Sequence, residues 1–175
     1  MNASTNPMQA VRLEKVTLNI GAGKDQSRLE KGIKLLKIVT GIEPVKTVTQ
    51  KRIPAWGLRP GLPIGCKITL RKTAASSLLN RLLTAKAKKL KAEQFDNAGN
   101  VSFGIHEYID IPEVPYTPEI GVIGLQVCVS LEKRGYRIKR RKFCPRAVPK
   151  KHQVSREEAI KFMQKEYQVS VEGAA

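Results

Sequence analysis

The chain contains few of the residues from which catalytic and metal sites are usually built. Its 175 residues include only two histidines and three cysteines. Cys66, Cys128 and Cys144 are widely spaced and form no CxxC pair, so we expect neither a zinc site nor a disulfide framework. Neither His106 nor His152 belongs to a spacing typical of a catalytic or metal-binding histidine. The sequence therefore predicts a protein that is not an enzyme and that needs no cofactor and no metal.

Long apolar runs are also absent. No apolar stretch approaches the roughly 18 residues of a membrane-spanning helix, and the N-terminus has no secretory signal pattern. Free cysteines suit a reducing compartment. Cys66 and Cys128 lie in strand-like runs and are expected in the core, whereas Cys144 is expected at the surface. We therefore expect a cytoplasmic protein without a membrane partner.

Acidic residues are missing from two long stretches of the chain. The formal net charge is +17, and no Asp or Glu occurs between Pro44 and Ala92, where there are 12 Lys or Arg residues. None occurs between Lys133 and Arg156 either, where there are 11 more. Segregated positive charge of this kind is typical of proteins that bind a polyanion such as nucleic acid.

Alternating and helical patterns predict a sheet with helices on one side. Strands are predicted at residues 11–20, 45–51, 64–71, 101–108, 122–131 and 169–171, and helices at residues 25–40, 73–91 and from 155 onward. The last helix begins with the capping-box spacing of Ser155 and Glu158. We expect an α+β fold: a largely antiparallel β-sheet with helices packed on one face, a long projecting loop and a basic segment.

We expect a single domain in three parts. Residues 10–132 form the α+β core, residues 133–151 form a basic RNA-binding segment, and residues 155–171 form the C-terminal helix and a short strand. Met1 to Gln9 is expected to be a frayed polar tail. The basic segment, Lys133–Lys151, has too few apolar residues to offset its ordering entropy, so we expect it to be mobile without RNA.

The stretch from Lys51 to Arg71 joins an irregular loop to a strand. Prolines and glycines exclude regular structure in its first part, which we name the finger loop (Lys51–Pro63). Its only tryptophan, Trp56, has two interpretations. Either Trp56 folds back and anchors the loop on the body of the protein, or the loop projects and places Trp56 and its arginines against a phosphate backbone or a ribose.

Three other functions are less consistent with the sequence than nucleic-acid binding. The turn at Asn19–Lys24 follows a strand, but it lacks the third glycine of a dinucleotide-binding fingerprint and is better explained as a tight strand-to-helix turn. The basic segment could bind anionic membrane, but prolines interrupt it and no basic amphipathic helix adjoins it. A nuclease would need a carboxylate or histidine cluster, which the basic stretches lack.

Several motifs together resemble one protein family. They are LEKVTLNIGAG at residues 13–23, TGIEPVKT at 40–47, GLPIGCKITLR at 61–71, FDNAGNVSFGIHE at 95–107 and YTPEIGVIGLQVCV from residue 116. The chain resembles the fifth large-subunit ribosomal protein, the universal family that binds 5S rRNA, from about Arg12 onward. The basic segment followed by a C-terminal helix is similar to the archaeal and eukaryotic branch.

The resemblance implies a structural protein of the central protuberance of the large ribosomal subunit. Its implied partners are 5S rRNA, 23S rRNA, P-site tRNA, other central-protuberance proteins and, through an inter-subunit bridge, the thirteenth small-subunit protein. Positions that contact 5S rRNA in relatives correspond to Asn19, Glu43 and Thr69, and we add their polar or basic neighbours Lys46, Thr47, Lys67 and Arg71. The implied tRNA contacts in the finger loop are Lys51, Arg52, Trp56 and Arg59. The predicted rRNA contacts of the basic segment are Lys133, Arg134, Arg137, Lys139, Arg140, Arg141, Lys142, Arg146, Lys150 and Lys151.

Overall fold

Five antiparallel strands form the main sheet, in the order β2-β3-β1-β6-β5. The structure is a computed structural model, and it describes residues 6–173. The strands of this sheet are β1 (Val11–Gly21), β2 (Val45–Val48), β3 (Pro63–Leu70), β5 (Asn100–Ile105) and β6 (Leu125–Lys133). A separate parallel pair consists of β4 (Lys89–Lys91) and β7 (Ser170–Glu172). The predicted α+β class is confirmed.

Strand β1 lies at the centre of the sheet because its two faces differ in polarity. Val16, Leu18 and Ile20 are buried on one face, and the polar residues between them lie on the other. The apolar alternation of β1 breaks near Glu14 in the sequence, which predicts an irregularity there, and the register with β6 does shift between Leu13 and Lys15. The bulge therefore divides β1 into two segments that pair with different parts of β6.

Three helices cover the apolar face of the sheet. They are α1 (Gln26–Thr40), α2 (Lys72–Ala85) and α4 (Arg156–Tyr167), and their apolar stripes belong to the same core as the buried sheet residues. Gly41 ends α1 in the left-handed conformation (φ 71°), and the predicted capping box of Ser155 and Glu158 begins α4. The fourth helix, α3 (Arg137–Arg140), has a single turn and lies at one end of the opposite face of the sheet.

The second helix ends earlier than the sequence predicted. Residues 86–91 continue the helical pattern, but α2 ends at Ala85 because Ala87 and Lys88 adopt left-handed φ angles of 52° and 55°. The Lys88 N–H group donates to the Leu83 carbonyl oxygen (2.8 Å) and closes the helix. The following residues pair with β7, which buries Leu90, so tertiary pairing prevails over local helix propensity.

Strand limits and one cysteine also differ from prediction. Strand β2 stops at Val48, β5 stops at Ile105, and β6 is displaced along the chain to Leu125–Lys133. Cys128 is exposed, not part of the core, because it pairs with Thr17 on the polar face of the sheet. Of the predicted polar tail, residues 1–5 lie outside the described part of the chain, and Pro7–Gln9 forms a short 3-10 helix.

Candidate nucleic-acid interface

The face of the sheet opposite α1, α2 and α4 carries a polar surface, which we name the open face. Two rows of neighbouring residues cross it in register. The first row consists of Lys67, Asn19, Gln126 and Gly104, and the second consists of Thr69, Thr17, Cys128 and Ser102. Neither row contains an acidic residue, so this part of the open face presents hydrogen-bonding groups and one ammonium group without a competing carboxylate.

Cross-strand hydrogen bonds organise both rows. The Thr17 and Thr69 hydroxyl oxygens are 3.3 Å apart, and the Asn19 side-chain amide donates to the Gln126 side-chain oxygen (3.2 Å). The bonds hold the side chains in fixed positions without using all of their donor and acceptor capacity. The open face is therefore a preorganised surface for directional hydrogen bonds.

The structure brings together only part of the predicted 5S rRNA site. Asn19, Lys67 and Thr69 lie side by side, and Thr47 joins their face through its pairing with Gly65. Lys46 pairs with the buried Cys66, so it belongs to the other face, although it is exposed because β2 is an edge strand. These four residues of the predicted site therefore cluster on strands β1, β2 and β3. Lys46 is reached only around the edge of the sheet.

Two further predicted residues lie beyond these rows. Glu43 is exposed in the connection between α1 and β2, outside the strands. Arg71 lies just after β3, and its guanidinium donates to the Glu14 carboxylate (3.1 Å). Arg71 is thus partly engaged within the protein, whereas Lys67 has no salt-bridge partner among the described residues.

The finger loop is a small hairpin with its own internal bonds. At its base, the Thr49 N–H and hydroxyl groups both donate to the Leu62 carbonyl oxygen (2.9 and 3.1 Å). Nearer its tip, Ile53 and Leu58 exchange two backbone hydrogen bonds (3.0 and 3.1 Å). Gly57 provides the left-handed turn between them (φ 66°).

Trp56 does not anchor the finger loop. Its exposed fraction is 68%, whereas that of Leu58 is 7%. Leu58 is buried outside the contiguous core of the protein. The interpretation of Trp56 as an anchor is therefore wrong, because the side chain of Trp56 is exposed and the buried side chain of the loop is Leu58. The three basic residues of the predicted tRNA contacts, Lys51, Arg52 and Arg59, are exposed as well.

Lys133 is part of the body of the protein, although the sequence placed it at the start of the basic segment. It is the last residue of β6, is 5% exposed, and donates from its ammonium group to the Glu158 carboxylate (2.8 Å). Burial alone would raise the pKa of Glu158. The hydrogen bonds from the Lys133 ammonium group and the Ser155 backbone N–H, together with the Lys133 charge, outweigh burial, so the pKa of Glu158 is lowered. The pair joins β6 to the first turn of α4.

A group of ion pairs that the sequence analysis missed ties the basic segment to the sheet. We name it the anchor network. It consists of two carboxylates and three arginines: Glu14, Glu132, Arg12, Arg71 and Arg140. Arg140 is its centre, because its Nη2 atom lies 2.9 Å from Glu14 and 2.7 Å from Glu132. Glu132 is 3% exposed, so the network neutralises a buried carboxylate.

The anchor network holds α3 over one end of the open face. Arg12 binds the same Glu132 carboxylate from β1 through two nitrogens (3.1 and 2.6 Å). The other basic residues of the predicted segment, Arg134 and those from Arg137 to Lys151, are exposed. The only sequence signal for the network was the presence of Glu14 in one predicted strand and of Glu132 directly after another. The mobility predicted for residues 133–151 without RNA remains a prediction for residues 141–151, whereas Lys133 and Arg140 are held by ion pairs.

Two absences within the described residues bear on other functions. Within residues 6–173, no three or more His, Cys, Asp or Glu side chains are grouped so that they could hold a metal ion. The same part of the chain contains no helix that is long and apolar enough to cross a membrane.

Comparison with known proteins gives one consistent result. Residues 6–59 match the family model described as ribosomal protein L5, and residues 63–162 match the model that describes the C-terminus of this ribosomal family. The chain is 44% identical to the large ribosomal subunit protein uL5 of Sulfurisphaera tokodaii, with 96% of each chain covered. It is 45% identical to that of Sulfolobus acidocaldarius (95% of this chain, 93% of the relative) and 47% identical to that of Nanoarchaeum equitans (95% and 98%). The chain therefore belongs to the ribosomal protein L5 family, in its archaeal type, and is a structural, non-enzymatic constituent of the large subunit of the cytoplasmic ribosome.

Proposed function

We propose that the open face binds 5S rRNA and thereby helps to attach it to the large subunit in the central protuberance. The observation that carries this proposal is the pair of acid-free rows at the centre of the sheet, in which Lys67 adjoins hydrogen-bonded Asn19 and Thr69. Irregular RNA presents 2′-hydroxyls, phosphates and base edges. Short polar side chains held in place by cross-strand bonds can recognise such groups with direction as well as charge.

Single substitutions on the open face test this placement. Thr69→Val keeps the shape of the side chain and removes its hydroxyl, so it should weaken 5S rRNA binding by about 1 to 3 kcal/mol if an RNA group loses its partner. Lys67→Glu should weaken binding further through repulsion of phosphate. Lys31→Glu is the matched control, because Lys31 is exposed on α1, on the other side of the sheet. Equal affinities for the open-face variants and the control would refute the proposal.

Salt dependence tests the electrostatic part of the interaction. The two acid-free stretches contain 23 basic residues. If roughly 6 to 10 phosphates are engaged, affinity should fall by about 10³- to 10⁵-fold between 50 and 200 mM salt on the duplex-DNA scale, and less steeply for irregular RNA. An affinity that does not depend on salt would exclude polyanion binding as the basis of the interaction.

For the basic segment we propose contact with rRNA, including 23S rRNA. Its exposed residues from Arg137 to Lys151 extend the positive charge beyond the open face. Trypsin should cut residues 141–151 readily in the free protein, and assembly into the subunit should protect them. Equal resistance to trypsin before and after assembly would contradict the idea that these residues become ordered only when they bind rRNA.

For the finger loop we propose contact with P-site tRNA. Its hairpin carries Trp56, Arg52 and Arg59 exposed, and its buried residue Leu58 lies outside the core. Replacement of Arg52–Arg59 by a short Gly-Ser turn, which retains Leu62 at the base, should leave 5S rRNA retention intact. The loss of two charge-assisted phosphate contacts, about 1.5 to 3 kcal/mol each, should weaken P-site tRNA. Lost 5S rRNA with normal tRNA binding would reverse the two assignments.

The family resemblance further supports a bridge to the thirteenth small-subunit protein and contacts with other central-protuberance proteins. We assign no residue of this chain to these contacts. Chemical crosslinking of assembled ribosomes followed by mass spectrometry tests both. Crosslinks between this chain and that small-subunit protein would support the bridge, and their absence from complete ribosomes that crosslink elsewhere on the chain would count against it.

A further inference from the structure

A cavity of about 590 Å³ lies where the anchor network holds α3 over the open face. Its floor is formed by strand residues, among them Asn100 and Ser130, and its wall by Tyr136, Lys139 and the 147–153 region. This volume is within the range of small-molecule sites in proteins. The cavity adjoins the surface that we propose to bind RNA. Two of its lining residues, Lys139 and Arg140, were predicted as rRNA contacts, but the sequence did not predict a pocket there.

The polar groups around this cavity are available to a ligand. The side chains of Ser130, Tyr136 and Gln153 make no hydrogen bond within residues 6–173, and Asn100 uses one amide donor on Asp96 (3.3 Å) and keeps its other sites. No buried side-chain nitrogen or oxygen in that part of the chain lacks a partner, so these free groups face water. They combine hydroxyl and amide groups, which match the donors and acceptors of a base edge.

The charges around the cavity favour a base over a phosphate in its interior. Glu14 and Arg140 both line the cavity, but they pair with each other (2.9 Å) and with Arg71 and Glu132, so this part of the lining offers no free cation to a phosphate. Lys15 and Lys139 supply positive charge, and Lys139 is exposed to solvent. A nucleotide would therefore fit with its base inside and its phosphate at the outer lysine.

One aromatic wall completes the site. Tyr136 lines the cavity, and the ring of His152 stacks on it with centroids 6.2 Å apart and planes inclined by 30°. His152 is itself fixed by a hydrogen bond between its Nε2 atom and the Arg134 carbonyl oxygen (2.7 Å). Unpaired bases of RNA are commonly held against aromatic side chains in this manner.

We propose that this cavity receives a single unpaired, extruded nucleotide of the rRNA bound on the open face. The inference rests on the proposed rRNA binding and adds to it a base-specific site. The anchor network gives the site its walls before RNA arrives, because Arg140 fixes α3 to Glu14 and Glu132. The occupant is a nucleotide of the bound rRNA, not a free nucleotide.

A variant that fills the cavity tests the proposal. Ala98 lines the cavity, and Ala98→Trp adds bulk without changing charge. We expect about a ten- to hundredfold loss of affinity for 5S rRNA, as for a lost base-stacking contact, and a salt slope that falls by at most about one, because only the phosphate at Lys139 can be displaced. Ala74→Trp, at an exposed position of α2, is the matched control. Unchanged affinity of folded Ala98→Trp protein would overturn the proposal.

Two further measurements separate the possible outcomes. Ser130→Val and Gln153→Ala are mild changes, and each should reduce the affinity for 5S rRNA by about three- to tenfold. These variants should remain folded, so they test the proposal even if the Ala98→Trp variant does not fold. A photoreactive phenylalanine analogue at position 136, in assembled large subunits, should crosslink to one unpaired rRNA nucleotide; dispersed crosslinks in paired regions would overturn the site. The proposal would also be overturned if the wild-type protein bound adenosine or guanosine monophosphate while the rRNA affinity of the Ala98→Trp variant stayed unchanged. Failure of the wild type to bind rRNA would instead refute the proposed function itself.

Discussion

The anchor network predicts a strongly non-additive effect of two arginine substitutions. Glu132 has a side chain that is 4% exposed, and it is bound by Arg12 on one oxygen (2.6 Å) and by Arg140 on the other (2.7 Å). Removal of either arginine leaves the carboxylate with one cation. Removal of both leaves a buried charge without any charged partner, which is far more costly.

The magnitudes follow from the exposure of each partner. A hydrogen bond to a charged group contributes about 1.5 to 3 kcal/mol. The two arginine side chains are 55% and 45% exposed, so screening reduces the expected cost of Arg12→Met or Arg140→Met to about 1 kcal/mol each. The double variant should cost about 3 to 5 kcal/mol. The excess over the sum is thus about 1 to 3 kcal/mol.

The assay is urea unfolding at pH 7 and low salt, followed by circular dichroism for the four members of the cycle. Methionine retains the packing of the arginine stem, so the change isolates the charge. Glu132→Gln in the double variant should recover most of the lost stability, because it removes the unpaired charge. Additive costs within about 0.5 kcal/mol, or no recovery with glutamine, would refute the reasoning.

Three other predictions concern the finger loop, a cysteine and an ion pair. Leu58→Ala should reduce the free energy of unfolding by about 2 kcal/mol, whereas Trp56→Ala should change it by less than about 0.5 kcal/mol; urea unfolding would contradict the assignment if the order were reversed. Burial raises the pKa of the Cys66 thiol to about 11, so a thiol reagent at about pH 8 should modify two cysteines in the native protein and the third only in denaturant; rapid reaction of all three would be inconsistent with its burial. The pKa of Glu158 is lowered in the folded state by Lys133, so its stabilising effect is complete above the unfolded pKa and is lost as pH falls through the folded pKa. The stability difference between wild type and Glu158→Gln should therefore shrink on acidification from about pH 6 to pH 3, and a constant difference would contradict this pairing.

Local pattern was sufficient to predict the polar surface of the sheet. In β3, Lys67 and Thr69 alternate with Cys66, Ile68 and Leu70, and this pattern alone assigns the two groups to opposite faces. The register agrees, because Thr69 pairs with Thr17 while Cys66 is buried. The capping box of α4 was likewise predicted from Ser155 and its spacing. These features depend on the two-residue repeat of a strand and the 3.6-residue repeat of a helix. Both repeats are visible within a few consecutive residues of the sequence.

Features that depend on long-range pairing could not be predicted. Whether Arg140 reaches Glu14 depends on how β1 pairs with β6 across the bulge and on how far β6 extends, and neither is encoded locally. The burial of Lys133 depends on the approach of α4, and the end of α2 depends on a strand at the other end of the chain. The cavity under α3 is formed by four separate parts of the chain, so no local motif marks it.

The central position of β1 has a consequence for synthesis of the chain. β1 pairs on one side with β3 and on the other with β6, and the contact of Arg12 with Glu132 spans 120 residues. The two matched family regions, 6–59 and 63–162, therefore share one sheet and are not independent folding units. Closing such a long loop slows folding, and a nascent chain carries an unpaired β1 edge until β6 has emerged. A chain that terminates before β6 cannot complete the open face. Only a chain synthesised through β6 can therefore present the full surface to RNA.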